Sequence, residues 1–212
     1  MIKGIIFDLD GVLLSTDEFH YQAWKKLADR LGIYFDKTIN NKLRGVSRMA
    51  SLEIILGDKS KNFTQEQKDA FAEEKNNTYR ELLSQMTPAD VSDDVRATLE
   101  KIRLSGIKTA IGSSSKNTKY ILSQTNITDY FDAISDGNNI TKSKPDPEVF
   151  LKAAEYIGLA PSECIVVEDA HAGIDAAKAG GFTAAAIGDA KTHAQADYKI
   201  NELKDLLQII EQ

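Results

Sequence analysis

Four short apolar runs constrain the fold of this chain more than any other feature. Residues 2–9, 107–112, 164–169 and 183–188 are rich in β-branched or small apolar side chains, and each stops at glycine or carboxylate positions. Runs of this length with little polar alternation read as strands covered on both faces. Helical patterns occupy 93–104, 117–124, 147–157 and 172–179, with Gly106, Gly158 and the Gly180-Gly181 pair placed as C-terminal stops. Strands alternating with helices of this length imply an α/β fold built on a parallel, doubly wound sheet.

Residues 15–87 break the alternation. They carry helical periodicity without a strand signal, through Phe19, Ala23, Trp24, Leu27 and Leu31, through Leu52, Ile55 and Leu56, and through Phe71, Tyr79, Leu82 and Leu83. The reading is an all-helical insertion, giving a core domain of 1–14 and 88–212 and a smaller domain of 15–87. Pro88 ends the last helix of the insertion, so the crossings near residues 14–16 and 86–90 are the expected hinges. The segment 203–210 reads as an amphipathic packing helix.

In open α/β sheets ligands bind outside the carboxyl ends of the strands. The polar residues expected there are Asp8 and Asp10, Ser113, Ser114 and Ser115, Lys144, and Glu168 with Asp169. Four acids crowded at one edge repel one another unless a divalent cation neutralises them, and oxygen donors without histidine or thiolate select magnesium. A phosphoryl group then completes the shell, with Lys144 as a balancing cation and serine hydroxyls or backbone N–H groups holding its oxygens. Asp169 could also serve as a helix N-cap, and the two readings are compatible.

Composition narrows the partners. The net charge of −6 over 212 residues, with no basic stripe, argues against a nucleic-acid surface and for a small phosphate ligand. No apolar run reaches the length of a membrane span, and Asp8 and Asp10 interrupt what a signal peptide would have to continue, so a cytoplasmic protein is expected. Cys164, the single cysteine, lies in an apolar run and reads as a buried structural thiol. His171 and His193 stand outside any motif and read as structural or solvated.

Asp8-Leu-Asp10-Gly-Val, the Ser-Ser-Ser-Lys-Asn loop, Lys144-Pro145 and Glu168-Asp169 occur in the order and spacing of the haloacid dehalogenase-like phosphotransferases, which the chain resembles. The helical insertion resembles the small cap of that superfamily, and the sheet its Rossmann-like core. Within it the chain is similar to the β-phosphoglucomutases, through Thr16 to Trp24 with His20, through Arg44-Gly-Val-Ser-Arg48 and through Lys75-Asn76. Two positions depart from that pattern: Arg44, where a lysine is usual, and Ser15, where an aspartate commonly precedes the hinge threonine.

The resemblance implies that Asp8 attacks phosphorus and Asp10 serves as acid and base. It implies magnesium held by Asp8, Asp10, Glu168 and Asp169, with Ser113 and Lys144 on the transferring phosphoryl group. Ser114 belongs to the same loop. Arg48 with Ser115, Lys116 and Asn117 would take the sugar's other phosphate, while Thr16, His20, Trp24 and Lys75 would line or order the cap side. Alone, His20 would read as an ordinary surface-helix histidine, and the surrounding pattern is what assigns it; Trp24, at helical spacing, reads as cap core ahead of a sugar-stacking surface. The implied reaction interconverts β-glucose 1-phosphate and glucose 6-phosphate through a bisphosphate, and a cap that must swing favours a monomer. The alternative is a phosphatase for small sugar phosphates that uses the same site with water as acceptor.

Overall fold

The computed structural model describes residues 2–43 and 46–211. In chain order its main elements are β1 (Gly4–Phe7), α1 (Asp17–Arg30), α2 (Lys37–Asn41), α3 (Arg48–Leu56), α4 (Gln65–Leu83), α5 (Asp93–Leu104), β2 (Lys108–Gly112), α6 (Thr118–Gln124), β3 (Ala133–Ser135), α7 (Glu148–Tyr156), β4 (Cys164–Glu168), α8 (His171–Ala179), β5 (Thr183–Ala186), β6 (Tyr198–Lys199) and α9 (Leu206–Ile210). The chain divides into two compact units, Met1–Ser15 with Met86–Gln212, and Thr16–Gln85.

The larger unit is built on a six-stranded parallel sheet in the order β3-β2-β1-β4-β5-β6. The two central strands, β1 and β4, are buried along their whole length, as their unbroken apolar sequence requires. Ile6, Ala110, Val166 and Ala184 form one layer with Phe150, Ala153, Ile174 and Ala177 of α7 and α8. The alternate strand positions Ile5, Phe7, Ile111 and Val167 turn to the other face. There α5 packs on β2 and against the C-terminal segment.

Two strands lacked a sequence signal. β3 and β6 span three and two residues and lie at the outer edges of the sheet, where a short strand needs only one partner. The expected C-terminal helix is divided: Leu203–Asp205 forms a 3-10 turn and α9 follows. Cys164 is fully buried in the sheet, and burial pushes its thiol up to about 11, which suits a packing role.

The smaller unit contains helices and no strand among its described residues. Trp24, Leu27 and Ala28 of α1 meet Leu52, Ile55 and Leu56 of α3 and Ala72 of α4 in a single apolar cluster. Its longest helix begins with a complete capping box, in which Thr64 accepts from the Gln67 backbone N–H and the Gln67 side chain accepts from that of Thr64. No helix among the described residues is long and apolar enough to cross a membrane.

Candidate active site

The register of the sheet assembles the candidate site of the larger unit. Phe7 pairs with Ile111 on one side and Val167 on the other, so Asp8, Ser113 and Glu168 leave the sheet at the same edge. Asp8 begins where β1 ends, its N–H still bonded to the Val167 carbonyl at 2.9 Å. Lys144 reaches this edge from the loop before α7. Its Nζ donates to Asp8 Oδ1 and to Glu168 Oε1, each at 2.5 Å, and lies 4.6 Å from the centre of the Phe150 ring. The other Glu168 oxygen accepts from the Ala170 N–H at 2.9 Å.

Gly11 explains how the fourth motif comes so near the first. It has φ of +82°, and a Cβ there would stand 2.0 Å from Asp169 Oδ2, so only glycine leaves room for that carboxylate beside the Asp8–Asp10 turn. Asp10 forms an isolated bridge with Leu14 inside the same turn.

These carboxylates are electrostatically stressed. Burial pushes Asp8 up to about 7; the Lys144 ammonium opposes that rise, while Glu168 and Asp10 add to it by repulsion. Asp169 is pushed up to about 8 by burial first and then by Glu168, Asp8 and Asp10. Burial alone would lower Lys144, but the Asp8 and Glu168 charges outweigh it and hold the ammonium protonated. The donor chemistry fits a hard divalent cation: carboxylate oxygens, no thiolate and no imidazole. Among the described residues no three acidic, histidine or cysteine side chains are gathered at metal-binding distance, and the ammonium of Lys144 lies between Asp8 and Glu168.

The serine loop follows β2. The Ser113 N–H is tied to the Ser135 carbonyl at 3.1 Å, the Ser115 N–H to Ser113 Oγ at 3.3 Å, and the Asn117 N–H to Ser115 Oγ at 3.1 Å. Ser114 Oγ is buried without a hydrogen-bond partner. The Lys116 carbonyl accepts from Asn138 at 3.0 Å, so the loop after β3 braces this one.

In the smaller unit Thr16, His20, Trp24 and Lys75 form a second cluster. Lys75 Nζ lies 2.8 Å from His20 Nδ1, and an ammonium can only donate, so Nδ1 accepts and the ring proton sits on Nε2. Burial, then the charges of Lys75 and Arg48, hold His20 well below the usual histidine range, leaving it neutral. The same ammonium lies 4.8 Å from the Trp24 ring centre and 4.4 Å from that of Tyr79. Trp24 is part of the apolar core of this unit. Arg48 opens α3, where one guanidinium nitrogen donates to Asn76 Oδ1 at 2.8 Å. Arg44 lies outside the described residues.

Three placements had no counterpart in the sequence reading. Tyr79, assigned there to an apolar face, is bonded to Thr16. Glu148 Oε2 accepts from the N–H groups of Lys142 at 2.8 Å and Thr141 at 2.9 Å and from the Thr141 hydroxyl, clasping the loop that carries Lys144. Those bonds pull its carboxyl down to about 2. The acid just after Lys-Pro-Asp-Pro, at the start of a helix, was the available signal. His171 and His193 meet with ring centres 5.1 Å apart, His193 Nε2 standing 3.1 Å from Asp175 and His171 Nε2 2.7 Å from the Thr192 hydroxyl.

Comparison with known proteins gives the family. The model of the haloacid dehalogenase-like hydrolases matches residues 2–181. The chain belongs to that family. It is similar to a β-phosphoglucomutase of Bacillus subtilis, 39% identical over 207 residues that cover 97% of this chain and 92% of the relative. The crystal structure of a β-phosphoglucomutase from Clostridium difficile superposes with a TM-score of 0.93 at 38% identity, covering 100% of this chain and 96% of that one. A phosphorylated carbohydrates phosphatase of Thermotoga maritima is also similar, 29% identical over 188 residues, 85% of this chain and 82% of the relative. Relatives of both names are therefore similar to this chain over most of its length.

Proposed function

We propose that the protein is a magnesium-dependent β-phosphoglucomutase, interconverting β-D-glucose 1-phosphate and D-glucose 6-phosphate through a phosphorylated Asp8 and glucose 1,6-bisphosphate. The observation that carries this reading is the second cluster, with Arg48, His20, Thr16 and Lys75 filled alongside every strand-end motif, together with near full-length similarity to proteins named β-phosphoglucomutase.

In the forward half-reaction the glucose 1-phosphate hydroxyl O6 attacks the phosphorus carried by Asp8, and Asp10 takes its proton. In the second half the bisphosphate, turned in the site, gives its C1 phosphoryl group to Asp8 while Asp10 returns a proton to the leaving O1. Asp8 is a weak nucleophile when protonated, so its readiness depends on charge neutralisation around it. A magnesium ion bound by Asp8, the Asp10 carbonyl, Glu168 and Asp169 would supply that neutralisation and polarise the phosphoryl oxygens. Lys144 moves from an ion pair with Asp8 and Glu168 to the transferring phosphoryl group, and the Ser113 hydroxyl with loop N–H groups holds its oxygens.

Arg48, with Ser115, Lys116 and Asn117, binds the phosphate that is not transferred. A guanidinium fork can give it two parallel hydrogen bonds. Binding energy gained there readies Asp10, so a sugar phosphate is preferred to water as acceptor. The same residues without that coupling make a sugar-phosphate phosphatase, and the similarity to the Thermotoga maritima phosphatase keeps that second reading in view. Supplying β-glucose 1-phosphate, magnesium and a trace of glucose 1,6-bisphosphate separates the two: isomerisation with little free phosphate supports the mutase, and phosphate release without glucose 6-phosphate overturns it.

A further inference from the structure

Thr16 precedes α1 but does not cap it. A threonine at this position ordinarily turns its hydroxyl onto an N–H of the first helical turn. Here no side-chain cap bond forms, and the Thr16 hydroxyl lies 2.8 Å from Tyr79 Oη, with Thr16 at 1% exposure and Tyr79 at 2%. A forgone local bond, replaced by one reaching 63 residues along the chain, marks a position arranged for something other than helix stability.

Two other contacts of Tyr79 converge on the same group of side chains. Its ring stacks on the His20 imidazole with centres 4.1 Å apart and planes inclined by 31°. The Lys75 ammonium, one helical turn earlier in α4, lies 4.4 Å from the centre of that ring while donating to His20 Nδ1. One side chain therefore meets the residue before α1, the imidazole one turn into α1, and the lysine that fixes that imidazole's tautomer. The His20 N–H also bonds the Thr16 carbonyl at 3.0 Å, so Thr16 and His20 move as one turn of backbone.

We infer that Tyr79 is a positioning residue for acceptor choice: through its hydroxyl it holds Thr16, and through its ring it holds His20 and Lys75, as one block that favours transfer to a sugar hydroxyl over transfer to water. The inference rests on the mutase reading of the chain. Tyr79 touches no reacting atom in this account. Its effect passes through Thr16, His20 and Lys75, and removing its hydroxyl keeps the ring contacts while releasing the Thr16 end.

The test compares the wild type with Tyr79→Phe, Thr16→Val and the double variant. For each, isomerisation of β-glucose 1-phosphate, phosphate released per isomerisation turnover, hydrolysis of an aryl phosphate, and the melting temperature are measured. Loss of one buried hydrogen bond corresponds to roughly a tenfold change, so Tyr79→Phe is expected to lower the kcat of isomerisation by about that factor. Phosphate released per turnover should rise, and aryl-phosphate hydrolysis should fall by less than isomerisation. Because both single variants break the same bond, the double variant should be no worse than the poorer single one.

Equal losses of isomerisation and hydrolysis, or losses that multiply in the double variant, overturn the inference while leaving the mutase reading in place. Tyr79→Phe that isomerises like the wild type also overturns it. If Tyr79→Phe does not fold, Thr16→Val with Thr16→Ser as its rescue decides, since serine retains the hydroxyl. A wild type that releases phosphate and never isomerises overturns both the mutase reading and this inference.

Discussion

The two units place polar chemistry in opposite ways. In the larger one, charged groups at adjacent strand ends are held in mutual conflict, two acids pushed up to about 7 and 8 beside a lysine bonded to Asp8 and Glu168. In the smaller one, a buried charged group lies against neutral side chains, Lys75 beside His20, Trp24 and Tyr79. Conflict of the first kind is relieved by a cation and a phosphoryl group, which suits bond making and breaking. An arrangement of the second kind is already satisfied and suits orientation. On the proposed function, chemistry and its control fall to different units of one chain.

The largest expected effect comes from the larger unit. Asp8→Asn removes the nucleophile, and turnover with either a sugar or water as acceptor should fall by more than about a thousandfold. Steady-state assays with β-glucose 1-phosphate and with an aryl phosphate check this. Loss on one substrate only would contradict the assignment. In the smaller unit, Arg48→Ala should lower kcat/KM for isomerisation by about a hundredfold, from lost phosphate contacts of a few kcal/mol. Aryl-phosphate hydrolysis should change much less, because that substrate has no second phosphate; equal damage to both would erase the division of labour.

A third prediction uses the conflict itself. Unfolded carboxyls of this kind release their protons near 3.8, whereas folded Asp8 and Asp169 keep theirs to about 7 and about 8. Between those limits the folded state binds more protons than the unfolded one, so its stability falls as pH rises from about 4 to about 8 and levels off above. Thermal melts in the presence of a chelator should show that fall, and magnesium should restore stability most at the alkaline end. A melting temperature independent of pH and of magnesium would remove the claim of strain. The smallest effect should follow Thr64→Ala, which breaks the capping box of α4 at a cost of about 1 kcal/mol. It should lower stability without altering the ratio of isomerisation to hydrolysis.

The sheet and its chemistry were legible because their signals are contiguous. Asp8-Leu-Asp10-Gly and Glu168-Asp169 each fall at the end of a four- or five-residue strand, so the sequence position of an acid gives its place at the sheet edge. β3 and β6 were not legible, since two or three residues carry no period. Glu148 and Tyr79 escaped for a different reason. A tyrosine at helical spacing among leucines reads as core, and only the fold brings its hydroxyl to Thr16 from 63 residues away. The pairing of His171 with His193 is likewise a product of α8 and the turn after β5 meeting in space.

The central claim, that the chain transfers phosphoryl groups between sugar hydroxyls, is tested most directly by one assay. β-Glucose 1-phosphate is supplied with magnesium and a trace of glucose 1,6-bisphosphate, and glucose 6-phosphate and free phosphate are followed together. Glucose 6-phosphate is expected to accumulate in large excess over phosphate, and phosphate accumulating without glucose 6-phosphate would contradict transfer between sugar hydroxyls.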